Sequence, residues 1–188
     1  GRKSIFSQIL HGYLFFRIPL VRPQRFLDKS YTLVKPLYSR PFALLVAIVL
    51  FVAIYMTLAD IDRFAVTFMR YFSWEGAALF ILATIAVKAV HELSHAYMAT
   101  KFNIKVPVIG IAVIVLYPVL YTETTGVWQV RDKRRRLLVG AAGILSEIAL
   151  AAFALLAWHM LEPGLLKGLA FFIAVVSLAG SLLINLNP

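Results

Sequence analysis

Residues 41–59 contain no charged side chain, and three further apolar runs follow at 77–99, 137–158 and 165–186. A helix needs roughly 20 apolar residues to cross the hydrocarbon core of a bilayer. Lipid also forces every backbone N–H and C=O to find its partner inside the segment, which favours helices. These runs predict an all-α membrane protein with about four transmembrane helices. They also explain why 61% of the chain is hydrophobic, well above a soluble domain.

The charges fit the same picture. The formal net charge of +10 would suit nucleic acid, but the basic residues are grouped beside the apolar runs. That grouping reads as a topology signal and as contact with lipid headgroups, so no nucleic-acid partner is expected. Lys and Arg crowd residues 1–40 and 100–136 and are sparse in 60–76 and 159–167. The positive-inside bias then puts both ends of the chain and the 100–136 loop in the cytoplasm. No Cys is present, so disulfides and thiolate metal sites are excluded and a metal must take N and O ligands.

Residues 1–40 form the first of two expected domains, a cytoplasmic-side amphipathic segment of short interfacial pieces broken by Pro19, Pro23 and Pro36. His11 reads there as an interfacial side chain. Residues 41–188 form the second, a transmembrane core. The chain begins without Met and ends at Pro188 directly after an apolar run, so the core is expected to be truncated at its C-terminal end. Asp60, Asp62 and Arg63 predict a polar turn, and the aromatic stretch 64–76 an interfacial belt. Residues 106–125 are rich in β-branched side chains around Tyr117-Pro118, which predicts a membrane-associated β-hairpin between the second and third spans. A short third helix is the alternative.

The second run holds His91-Glu92-Leu93-Ser94-His95. On a helix, positions i and i+4 share a face, so both imidazoles can reach one metal ion. Glu92 sits beside that face, where a carboxylate can receive a proton from water. This is the H-E-x-x-H arrangement of zinc hydrolases: His91 and His95 as metal ligands, Glu92 as general base, Zn2+ as cofactor. Charged and imidazole groups at membrane depth are costly and usually mark function.

Three other polar residues lie at comparable depth. Lys88 can hold Glu92 four residues on, or snorkel to water. Glu147 lies about 16 Å along its helix from Arg136, and can be a ligand, a partner to a ligand His, or a buried acid bonded locally. Asn185 can satisfy carbonyls freed by Pro188 or reach a bound peptide, while a helix-end role suits Asn187 equally. Gly140, Ala141, Ala142 and Gly143 are expected to let the third span approach a neighbour closely. His159 falls at the opposite end of that span and is left out of the metal site.

With these residues aligned, residues 77–188 resemble the site-2 protease family of intramembrane zinc metalloproteases. The resemblance rests on His91, Glu92 and His95, on Ser94 as the small residue before the second His, and on Asn185 and Pro188 as the start of an N-x-x-P run. In that family the run is followed by L-D-G, whose Asp is the third zinc ligand. The resemblance therefore implies a third ligand beyond Pro188. Ile18-Pro19-Leu20, Arg25-Phe26-Leu27-Asp28, Pro36 to Pro41 and Ala142-Gly143-x-x-x-Glu147 look like the branch fused to a periplasmic adaptor-like segment, associated with peptide maturation or export.

The function these features imply is hydrolysis of a peptide bond in a membrane-embedded or membrane-delivered peptide, in the bacterial inner membrane. The partners expected are that substrate, the lipid bilayer and export or secretion components. The alternative is a non-proteolytic membrane anchor of an export assembly that retains a metal-binding motif.

Overall fold

The computed structural model describes residues 15–114 and 117–180. In chain order the elements are β1 (Phe15–Val21), α1 (Gln24–Val34), a 3-10 turn (Lys35–Tyr38), α2 (Arg40–Ala59), α3 (Ile61–Arg70) and α4 (Trp74–Lys101). Then come β2 (Ile109–Ile114), β3 (Tyr117–Thr122), a second 3-10 turn (Thr125–Gln129), α5 (Lys133–Met160) and α6 (Leu165–Ala179). They fall into two compact units. One takes the described residues up to Leu33 with His95–Gly140; the other takes Val34–Ser94 and the described residues from Ala141 on.

The first unit carries an antiparallel sheet in the order β1-β2-β3. Proline has no N–H for a ladder and is confined to outer strands; Pro19 lies in β1 and Pro118 in β3, while the central β2 has none. The register slips between Pro19 and Val21, which face Gly110 and Ile109. Gly110 is required at this crossing: a Cβ there would collide with the Ile18 carbonyl oxygen and stand 2.9 Å from the Tyr121 ring. The hairpin expected over 106–125 is thus present, but the class is not purely helical. Residues 15–21 pair as a strand, where short interfacial pieces were expected, because their ladder partners lie far along the chain at 109–114.

The break between β1 and α1 is local. Pro23 supplies the carbonyl that accepts the Leu27 N–H at 2.9 Å, and Leu27 is fully buried. Gln24 Oε1 accepts the N–H of buried Val106 at 2.8 Å, and its Nε2 donates to Asp28 at 2.7 Å. One glutamine thus ties the helix start to the chain entering β2.

In the second unit, Ser39 caps α2, its Oγ accepting the Phe42 N–H at 3.3 Å, and Pro41 occupies the first turn, where its missing N–H costs nothing. Among the described residues three helices are long and apolar enough to cross a membrane: α2, α4 and α5. The fourth expected span is described only as α6, a shorter apolar helix of 15 residues; residues 181–186 lie outside the described chain. Leu44, Leu45, Ile48, Phe51, Tyr55 and Leu58 of α2 all face outward.

Between apolar helices in lipid there is little hydrophobic drive, so association relies on close packing at small residues. One seam is of that kind, a buried cluster of Ala53, Ala154, Leu155 and Ala174. Leu79, Ala83 and Val87 of α4 form another with Trp158 and with Ala170, Phe171, Phe172 and Val176 of α6. The expected polar turn is the start of the amphipathic helix α3, and the aromatic stretch 64–76 continues along that helix and its exit. Phe64 turns inward, 5.4 Å from the Trp158 ring and 5.0 Å from Phe171, while Met69, Phe72 and Trp74 stay exposed.

Candidate functional site

Along α4 the buried positions Leu79, Ala83 and Val87 repeat every fourth residue, and continuing that row gives His91 and His95. A packing stripe therefore changes from aliphatic to imidazole without leaving its helix. Ser94 is buried beside them, its Oγ donating to the Val90 carbonyl at 2.7 Å. A hydroxyl turned onto its own helix needs no partner elsewhere, which explains how a small polar residue fits there.

His91 Nδ1 lies 2.9 Å from Glu147 Oε1, and Lys88 Nζ donates to that same oxygen at 2.7 Å. The Glu147 side chain is 0% exposed. A carboxylate beside an ammonium is ionised and accepts only, so the ring nitrogen must be the donor. His95 Nδ1 lies 2.6 Å from the Val139 carbonyl oxygen, again an acceptor only. In both imidazoles Nδ1 is therefore the donating nitrogen. Histidine ligands of metal ions are commonly fixed in this way, one nitrogen held by a carboxylate or carbonyl so that the other can coordinate.

Of the residues singled out in the sequence, the structure brings Lys88, His91 and Glu147 together. Lys88 reaches Glu147 on α5, rather than Glu92 one turn along its own helix. Glu92 is half-buried on α4, next to His91. The small-residue stretch is corrected at one end: Ala142 and Gly143 are buried, but Gly140 is exposed and a Cβ on it would meet nothing within 4 Å. His159 Nε2 stands 2.9 Å from Thr57 Oγ1. His11, Asn185, Asn187 and Pro188 lie outside the described residues.

One participant carries no signal in the sequence. A Cβ on Gly180 would lie 3.2 and 3.3 Å from the Glu147 carboxylate oxygens and 3.4 Å from Lys88 Nζ. The glycine makes room for the ion pair, and only the packing of α6 residues against α4 and α5 reveals it.

The donor set fits a divalent cation in part. Two imidazoles that each donate from Nδ1 suit zinc, but among the described residues no group of three His, Asp or Glu could hold a metal. Glu147 does not fill that gap, since one of its oxygens is committed to Lys88 and His91. Comparison with family models, with curated proteins and with solved structures found no match.

Proposed function

We propose that this chain is the core of an intramembrane zinc endopeptidase that hydrolyses a membrane-embedded or membrane-delivered peptide. The observation that carries the reading is the pairing of each motif histidine with an acceptor: His91 Nδ1 with Glu147 at 2.9 Å and His95 Nδ1 with Val139 at 2.6 Å. Rings oriented through Nδ1 by otherwise costly partners in an apolar helix suit ligation better than packing. His91 and His95 would hold the ion. The chemistry a zinc ion supplies when bound is Lewis acidity towards water and the scissile carbonyl.

Glu92 takes the proton of the attacking water on its carboxylate and delivers it to the leaving amine. Glu147 and Lys88 keep His91 oriented while contributing no net charge as a pair. The cellular setting that goes with this reading is the bacterial inner membrane, with both ends of the chain cytoplasmic and peptide maturation or export as the process served.

Glu92→Gln in the full-length protein tests the reading: zinc content stays, and cleavage of a membrane-embedded reporter peptide disappears. Loss of zinc in His91→Ala and His95→Ala completes the expectation. A second reading, a non-proteolytic anchor of an export assembly, draws on the lack of a third ligand among the described residues. Export that persists unharmed in Glu92→Gln would select the anchor.

A further inference from the structure

A cavity of about 700 Å³ opens beside the start of α1, lined by Arg22, Gln24, Arg25, Pro107 and Val108. Gln24 is spent on Val106 and Asp28, and Asp28 is the only acid in residues 1–40. Arg22 and Arg25 are both exposed, and among the described residues neither guanidinium has an ion-pair partner. Two forked cations thus face one recess whose other lining residues are Gln24, Pro107 and Val108.

The surface around them is not that of a water-facing loop. Ile18, Leu20 and Val21 before Arg22 are 45%, 54% and 58% exposed, and Phe26 after Arg25 is 62% exposed. Leu33, one heptad from Phe26 on α1, is exposed too, with Lys29 between them. Apolar side chains interleaved with cations match the boundary between acyl chains and anionic headgroups. Among the described residues the same chain has three helices long and apolar enough to cross a membrane.

We propose that this recess seats the phosphate of an anionic phospholipid, gripped by Arg22 and Arg25, with Pro107 and Val108 against the glycerol end of the acyl chains. Guanidinium suits this task because its planar fork can give two parallel N–H···O bonds to one phosphate. The exposed apolar residues of β1 and α1 then rest in the lipid beside the bound headgroup. The proposal stands apart from the zinc reading, since none of its residues is in the H-E-x-x-H site.

The test places the full chain in nanodiscs of equal parts phosphatidylglycerol and phosphatidylcholine, extracts it into detergent, and counts retained lipid by native mass spectrometry. The wild type retains phosphatidylglycerol in preference. Arg22→Gln with Arg25→Gln lowers that retention about tenfold, the scale of losing charge-assisted hydrogen bonds. Arg22→Lys with Arg25→Lys keeps part of it, because charge survives while the fork is lost. Arg131→Gln, an exposed arginine elsewhere in the same unit, leaves it unchanged. Equal retention of both lipids by the wild type overturns the proposal, as does full retention by the Gln pair. An equal loss in Arg131→Gln overturns it too, since bulk charge would then suffice. Stripping by excess inorganic phosphate would assign the recess to a free anion, and stripping by an acidic peptide would assign it to a protein partner. Should the Gln pair lose its helical circular dichroism, the Lys pair decides: retention equal to that of the wild type refutes the fork.

Discussion

His91 gives its Nδ1–H to Glu147 Oε1 across 2.9 Å, from one long apolar helix to another. The acid that receives it is fully buried and shares the same oxygen with Lys88. Removing the acid therefore does two separable things: it strands an ammonium and it frees a ring. Glu147→Leu should lower stability by about 1.5–3 kcal/mol, the cost of losing a hydrogen bond to a charged group. Adding Lys88→Met should recover most of that loss, because replacing both members of a buried pair by apolar groups is often close to neutral. On the proposed zinc site, affinity for zinc should fall about 10–100-fold in both variants, as for other lost partners of ligand histidines. Thermal unfolding in nanodiscs and zinc titration read the two effects apart.

Gly180 and Gly164 should respond oppositely to alanine. At Gly180 the new methyl would stand 3.2 Å from Glu147 Oε2, and overpacking of this kind costs about 1–3 kcal/mol. At Gly164 nothing lies within 4 Å of the added Cβ, and the backbone is extended at φ 161°. Gly164→Ala should be neutral or stabilising by up to about 1 kcal/mol through the unfolded state. Melting temperatures of the two variants side by side check the contrast.

Gln24→Ala should loosen the entry to the sheet. It leaves the Val106 N–H without its acceptor, and Val106 is 0% exposed, so about 1–3 kcal/mol is expected for the unpaired donor. Hydrogen exchange at Val106 should accelerate accordingly, with amides of α6 unaffected.

Ser177 gives the opposite sign. Its hydroxyl is buried in α6 with no hydrogen-bond partner among the described residues. Ser177→Ala removes a desolvated polar atom and improves helix propensity, so stability should rise by about 0.5–1.5 kcal/mol. Chemical denaturation in detergent would register it as a higher midpoint.

What could be read in the sequence divides by range of interaction. Three long helices were legible because a long apolar run imposes a local rule: residues 41–59, 77–99 and 137–158 were expected to be helical, and α2, α4 and α5 extend each by a few residues at most. The i, i+4 relation of His91 and His95 was equally local. The hairpin at β2 and β3 announced itself through β-branching around a proline. Strand β1 did not, since its ladder partners begin at Ile109 and its own prolines argue for breakage. The partner of Lys88 is hidden for the same reason: Glu92 is four residues away in sequence, but Glu147 is the acid the helices bring to it. Gly180 could not have been found at all, because its role is the space it leaves.

Each outer strand of the small sheet contains a proline, Pro19 in β1 and Pro118 in β3. A second copy laying itself along either margin would meet a gap in the row of amide donors part-way along. The sheet is therefore self-limiting: it can close on its own three strands but makes a poor template for endless growth, a useful property in a chain whose remaining surface is so largely apolar.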